Sequence, residues 1–275
     1  MKSIDPRIAR LLTLGRNALA APPGRGRRAV ALAMGFCCHL VFAAAIASMV
    51  YGMFFGLTMA RGAVSHPWSL LTNLLLLIQF PLLHSLLLTR GGLKALAYLV
   101  PGPYGRPLGT TTYAIVASVQ LLLAFWLWTP SGVVWWRAEG TALIVCSTAY
   151  GAAWAVLGKA ILDAGADVQS GALGWLSLLA DKAPVFPGLP TLGLFKIVRQ
   201  PIYLAFAATL WTVPVWTPDQ FALAVAWSLY CVAAPVLKER RFLNQYGRDF
   251  EQYRERVPYM VPGLGRSRTA RASKE

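Results

Sequence analysis

The residues best placed to do chemistry lie in two short stretches of an otherwise apolar chain. The first, residues 192–203, reads Leu-Gly-Leu-Phe-Lys-Ile-Val-Arg-Gln-Pro-Ile-Tyr and sets Lys196, Arg199, Gln200, Pro201 and Tyr203 at the start of an apolar run. Proline suits the first turn of a helix, where a missing N–H does no harm. The backbone N–H groups that follow it point outward, and a helix start of this kind binds anions. Lys196 and Arg199 add positive charge, so a carboxylate or phosphate can be held there; equally, the two cations can simply snorkel to lipid phosphates. The second stretch opens Lys238-Glu239-Arg240-Arg241 and continues through Phe242, Tyr246, Phe250, Tyr253 and Val257, spaced four, four, three and four apart. That is the period of an amphipathic helix facing protein or lipid. Glu239 is notable because an acid at the end of an apolar run needs a partner. Arg199 or Arg240 can bridge to it, or it can accept hydrogen bonds from a polar ligand. His84, beside Ser85, Thr89 and Arg90 at the end of another apolar run, is the third candidate, with a functional role and a structural one both open. His39 is read as structural, satisfied by a neighbouring helix.

The elements that must position these residues are transmembrane helices. Of 275 residues 56% are apolar and 13% charged, and the mean hydropathy is +0.52. An ordinary soluble domain carries about 25% charged residues, so a water-soluble enzyme and a disordered chain are both excluded. The 24 glycines show no triplet period and no heptad runs on, which excludes collagen and coiled coil. An all-α polytopic membrane protein remains. A crossing needs about 20 apolar residues, and hydropathy with turn residues marks six spans: within 29–60, then 68–88, 111–128, 141–162, 201–217 and 220–237. The first apolar run is too long for a signal-peptide core and is a retained span. The apolar piece 172–180, between spans four and five, is too short to cross and should lie in the interface or re-enter.

Charge then orients the chain. Of 26 Lys and Arg, all but Arg61 and Arg137 fall in the N-terminal arm, the second and fourth loops and the C-terminal segment. Basic residues near span ends stay cytoplasmic, so both termini are expected there. The net charge of +15 belongs to topology and to anionic membrane lipids rather than to nucleic acid, with Arg266, Arg268, Arg271 and Lys274 as a lipid-surface tail. The organisation reads as a basic arm (1–28), a six-span domain (29–237) with a motif loop (163–200), an amphipathic C-terminal helix (238–262) completing the site, and a basic tail (263–275). Spans five and six form a tight hairpin around Pro214, Pro218 and Asp219, so the two chemical stretches return to one face and can share a pocket. Cys37, Cys38, Cys146 and Cys231 lack disulfide or zinc spacing and read as small apolar side chains; no metal site is suggested.

The order Gly-Leu-Phe-Lys-x-Val-Arg-Gln-Pro-x-Tyr, a helical hairpin, Glu-Arg, then Tyr-Gly-x-x-Phe-x-x-Tyr-x-x-x-Val-Pro resembles the integral-membrane methyltransferases of the isoprenylcysteine carboxyl methyltransferase and phospholipid methyltransferase superfamily. The six-span layout and His84-Ser85 are most similar to its bacterial methanethiol S-methyltransferase branch and to NnrU-type proteins. The specific match covers about residues 192–262. It implies a bacterial inner-membrane enzyme that binds S-adenosylmethionine at the cytoplasmic end of the last two spans, capped by the C-terminal helix. By position, Arg199, Gln200, Pro201 and Tyr203 stand in the cofactor motif, Glu239 and Arg240 in the second. The family usually has His at the place of Gln200, Gly at Ala205 and a second acid at Lys238. Gln hydrogen-bonds but cannot titrate, so any role needing an imidazole is lost.

Methyl transfer from a sulfonium needs no metal. The protein must align donor and acceptor, an effect worth about 7–11 kcal/mol. A thiol acceptor, with a reference pKa near 8.5, must also be deprotonated, and a nearby cation favours its thiolate. Arg240, Arg199 and His84 are the candidates for that task, with Glu239 beside them in the catalytic set. A small thiol of the methanethiol type, or a lipid-soluble acceptor arriving from the bilayer, is the implied substrate. The competing reading is a divergent relative without catalysis that binds lipid or serves assembly; Gln200 and Lys238 are its basis.

Overall fold

A computed structural model describes residues 5–100 and 102–263. Lys2 and the tail cations Arg266, Arg268, Arg271 and Lys274 lie outside the described residues. The chain is helical nearly throughout, as its apolar runs require: with no water in the bilayer to satisfy them, backbone groups must bond within the segment. The helices are α1 (Pro6–Leu19), α2 (Arg25–Phe54), α3 (Trp68–Leu87), α4 (Arg90–Tyr98), α5 (Gly109–Trp126), α6 (Gly140–Gln169), α7 (Ala172–Leu179), α8 (Pro201–Trp211), α9 (Pro218–Tyr246) and α10 (Arg248–Arg256). Five of them, α2, α3, α5, α6 and α9, are long and apolar enough to cross a membrane, so the protein is an integral, multi-pass membrane protein.

The fifth expected span differs. Its helix α8 has 11 residues, a rise of about 16 Å, roughly half a hydrocarbon core. The remainder of that pass is extended: β2 (Val215–Trp216) pairs antiparallel with β1 (Trp136–Arg137), Trp136 opposite Trp216. Pro214 and the β-branched Val213 and Val215 disfavour continued helix there, and the β pairing supplies the hydrogen bonds that helix would have made.

The bundle has two distinct ends. At one, the loops after α2, α5 and α8 meet: Gly62 N–H donates to Trp128 O at 3.0 Å, and Thr217 Oγ1 to Gly56 O at 2.7 Å. Here Asp219 at the start of α9 accepts from Trp128 Nε1 (3.0 Å), Ser131 N (2.8 Å) and Ser131 Oγ (2.6 Å). At the other end lie α1, α4, α7, the 163–200 loop and α10. Between the ends runs a core of Met49, Met53, Phe125, Trp128, Tyr150, Leu210 and Trp227. Helix α3 buries only 6% of its apolar window, as a rim helix surrounded by lipid would.

Two helices appear where the sequence reading had a basic arm and a loop. Helix α1 packs on α7, and its Arg10 binds Asp167 at 2.7 Å. Helix α4 is capped by the Thr89 hydroxyl, which accepts from Gly92 N at 3.2 Å. The short piece at 172–180 is α7; it does not cross but packs against α2 and α5, with Leu173 and Leu178 buried. The expected separate helix at 238–262 is also revised. Helix α9 continues past the apolar run to Tyr246, because nothing breaks it before Gly247, whose φ of 49° a side chain would resist; α10 then folds back.

Candidate functional site

Helix α8 begins with Pro201 at its first turn and Gln200 at its N-cap, without a side-chain cap. The residue before it, Arg199, reaches across to α9. Its Nε donates to Glu239 Oε1 at 2.9 Å and Nη2 to Oε2 at 3.3 Å, while Nη1 donates to Val257 O (2.7 Å) and Arg254 O (3.0 Å). One guanidinium thus ties the start of α8 to the end of α9 and to the segment after α10. The backbone repeats the link, since Arg199 N donates to Pro258 O at 2.9 Å and Gln200 N to Tyr259 O at 3.2 Å. Gln200 is 2% exposed. Its Nε2 donates to Glu239 Oε1 at 2.8 Å, and its Oε1 accepts from Lys238 Nζ at 3.2 Å. The ion pair leaves 11% of the Arg199 and 14% of the Glu239 side chain accessible, so it is neither a solvated surface pair nor a sealed one. Among the described residues Glu239 Oε2 takes a single long hydrogen bond, and a carboxylate oxygen has capacity for another.

Supporting contacts hold the approach to α8. Residues 193–196 form a 3-10 turn whose Leu194 N–H donates to Asp163 Oδ2 at 2.8 Å. Asp163, near the end of α6, is also bound by Lys159 one helical turn earlier at 2.5 Å. Gly193, at φ 61°, lets the turn lie directly on that carboxylate, and a Cβ there would stand 2.1 Å from Asp163 Oδ2. On the other side the Tyr253 hydroxyl of α10 donates to Phe195 O at 2.7 Å. Burial pushes the Tyr253 phenol above its ordinary range, so it stays a donor. Phe250, Tyr253 and Val257 form the apolar seam beneath, against Phe242, Tyr246 and Leu189, which is the amphipathic period seen in the sequence.

The structure therefore brings Arg199, Gln200 and Glu239 into one hydrogen-bonded cluster, with Pro201 starting the helix behind it and the Tyr203 ring 5.7 Å from Lys238 Nζ. It does not bring in Arg240, which is exposed and, among the described residues, makes no side-chain hydrogen bond or ion pair; Arg199, not Arg240, is the bridge to Glu239. Lys196 is exposed as well. His84 stands apart, its ring 4.9 Å from Phe80 and 5.2 Å from Tyr113, and its Nδ1 is buried without a hydrogen-bond partner. Beside it, Ser85 Oγ and Tyr230 Oη are 3.2 Å apart. His39 accepts from Trp175 Nε1 at 3.0 Å, satisfied by α7 as expected of a structural residue. The four cysteines are free; Cys38 and Cys231 are buried, whereas Cys37 is exposed on the apolar surface.

Neither of the two best-formed cavities is the expected pocket shared by the two stretches. One cavity, of about 250 Å³, is bounded by Arg10 and Leu11 of α1, the end of α6 and residues 187–192; another, of about 430 Å³, lies between α3 and α9, with Ser85, Trp227 and Tyr230 among its walls. Gln200, Tyr203, Glu239 and Arg240 line neither. Sequence reasoning gave no role to Asp163 and Phe195, and read Lys238 only as a departure from the family pattern. Of these, Asp163 was signalled by Lys159 four residues before it.

Fold and cluster together define a multi-pass helical membrane protein with a charged centre where its last two helices meet at one end of the bundle. Comparison with known proteins gives that class a more particular place. The chain is similar to methanethiol S-methyltransferase 1 of Bradyrhizobium diazoefficiens, 29% identical over 238 residues that cover 85% of this chain and 82% of that protein. It is also similar to methanethiol S-methyltransferase of Pseudomonas deceptionensis (28% over 206 residues, 74% and 76%) and, over 59% of its length, to nurim of Mus musculus (29% over 169 residues, 63% of nurim). No protein-family model matches the chain, and no solved structure does. The chain is thus similar, at just under 30% identity, to curated proteins named methanethiol S-methyltransferase and nurim.

Proposed function

We propose that this protein is an S-adenosylmethionine-dependent membrane methyltransferase acting on a small thiol, methanethiol being the favoured acceptor. The observation that carries the reading is the joining of Arg199 and Gln200 to Glu239, across two helix ends, in a chain whose curated relatives are named methanethiol S-methyltransferases. The donor set suits the cofactor. Its methionine end has an ammonium and a carboxylate, and the cluster offers Glu239 Oε2 with spare acceptor capacity beside the Arg199 guanidinium. When bound, S-adenosylmethionine supplies an electrophilic methyl group on a sulfonium. What the chain's own residues would do is orient and enclose: Glu239 beside Arg199 would hold the methionine end, the 193–196 turn and Tyr203 border the cluster, and Tyr253 of α10 and Tyr259 of the segment after it cover it. Ser85 and Tyr230 stand on the wall of the neighbouring cavity, the side from which an apolar acceptor would arrive, while His84 packs between Phe80 and Tyr113 and does not line it. Both termini lie in the cytoplasm on this reading, in a bacterial inner membrane, and the basic arm meets anionic lipid.

Purified protein in detergent should bind S-adenosylmethionine in a calorimetric titration, and Glu239→Ala should weaken binding by tenfold or more, as loss of a charged hydrogen-bond partner worth about 1.5–3 kcal/mol requires. No binding by the parent protein would end the enzyme reading.

A further inference from the structure

Lys238 is a cation whose neighbouring opposite charge, Glu239, makes no ion pair with it. Among the described residues no carboxylate pairs with it, and its one hydrogen bond goes to Gln200 Oε1 at 3.2 Å. An ammonium carries three donors, so two remain. Around Nζ stand the rings of Phe242 (5.4 Å), Phe195 (5.6 Å) and Tyr203 (5.7 Å), whose faces attract the ammonium while leaving two of its donors without an oxygen partner. Gln200 spans the gap to the neighbouring acid, its oxygen toward Lys238 and its amide nitrogen on Glu239 at 2.8 Å. The two departures from the family pattern are thus one hydrogen-bonded unit.

We propose that Lys238 holds the sulfur of the acceptor as a thiolate, with Gln200 as the positioning residue that aims the ammonium; the inference rests on the methyltransferase reading. The other cations are committed or remote. Arg199 is held by Glu239 and two carbonyls, and Arg240 is exposed. A small, polarizable sulfur with a methyl group loses less hydration in this aromatic surround than a carboxylate would. In the reaction the acceptor releases its proton to water and binds as thiolate. Its sulfur then forms a bond to the methyl carbon as the donor's sulfur–methyl bond breaks, and that bond's electron pair neutralises the sulfonium. The charged and titratable groups around Lys238 are Glu239 and Arg241 on α9, Tyr203 on α8, Arg199 before it, and Tyr253 on α10.

The test is the pH dependence of kcat with saturating methanethiol, which reports ionisation in the complex. For the parent protein the rise of kcat should be centred at least one pH unit below the titration of free methanethiol, as an opposite charge at close range produces. Lys238→Met should return the midpoint to the free value and lower kcat at neutral pH by about tenfold, with S-adenosylmethionine affinity changed less than about threefold; Lys238→Arg should keep the low midpoint. A parent midpoint coincident with free methanethiol overturns the proposal without any variant. So does a Met variant that loses donor affinity while its midpoint stays low, because Lys238 would then serve the donor or the fold. A parent that binds no donor fails earlier, in the calorimetric titration, and takes the methyltransferase reading with it.

Discussion

Replacing Gly193 with alanine separates the turn that carries Phe195 from the helix that supports it. At φ 61° an L side chain costs about 1–2 kcal/mol. The added Cβ would also stand 2.1 Å from Asp163 Oδ2 and 2.3 Å from Cγ, so the carboxylate must move. Its hydrogen bond from Leu194 N at 2.8 Å is lost, at about 1–3 kcal/mol for a buried group left unpaired. The two effects together amount to about 2–5 kcal/mol, or roughly 4–20 °C in Tm for a domain of this size. Thermal unfolding in one detergent, followed by tryptophan fluorescence, measures it. Gly188→Ala, where an added Cβ meets nothing within 4 Å, is the matched control and should not shift Tm. An unchanged Tm for Gly193→Ala would refute the claim that Asp163 is the fixed floor of the turn.

Asp219→Ala, at the opposite end, removes the acceptor of three hydrogen bonds; it should lower stability by about 2–4 kcal/mol while the affinity of the folded protein for S-adenosylmethionine stays within twofold. Tyr253→Phe leaves Phe195 O without its donor and should cost about 1–3 kcal/mol, with a parallel loss of donor affinity in the same titration. Arg199→Lys keeps the charge but not the fork that serves Glu239, Arg254 O and Val257 O at once, so it should weaken donor binding by about tenfold rather than restore it.

Much of this architecture is legible in the sequence because lipid imposes one rule on every span. Long apolar runs became helices that start within a few residues of the expected positions, although α8 stops well short of its expected end and α6 and α9 run well past theirs, and the split of basic residues between loops matches the two ends of the bundle. The misses have local causes. The α8 pass is a short helix plus an extended segment because a β pair with a distant loop replaces helical hydrogen bonds, and hydropathy does not distinguish the two. Helices α1 and α4 are amphipathic, with stripes too short to register as spans. At the site, composition placed Arg199, Gln200 and Glu239 at converging helix ends but left the choice between Arg199 and Arg240 open. That choice depends on helical phase: α9 runs unbroken to Tyr246, which turns Glu239 toward α8 and leaves Arg240 outside. The bond between Gln200 and Lys238 lies 38 residues apart in sequence, and only the packing of α8 on α9 reveals that two departures from the family pattern are partners.

The most direct test of the account is transfer itself. Purified protein given methanethiol and S-adenosylmethionine labelled in its methyl group should release dimethyl sulfide carrying that label, detected by mass spectrometry, and Glu239→Ala should release at least tenfold less. Unlabelled or absent product from a folded protein that binds the donor, or full product from Glu239→Ala, would contradict the assignment of the α8–α9 cluster as the methyl-transfer site.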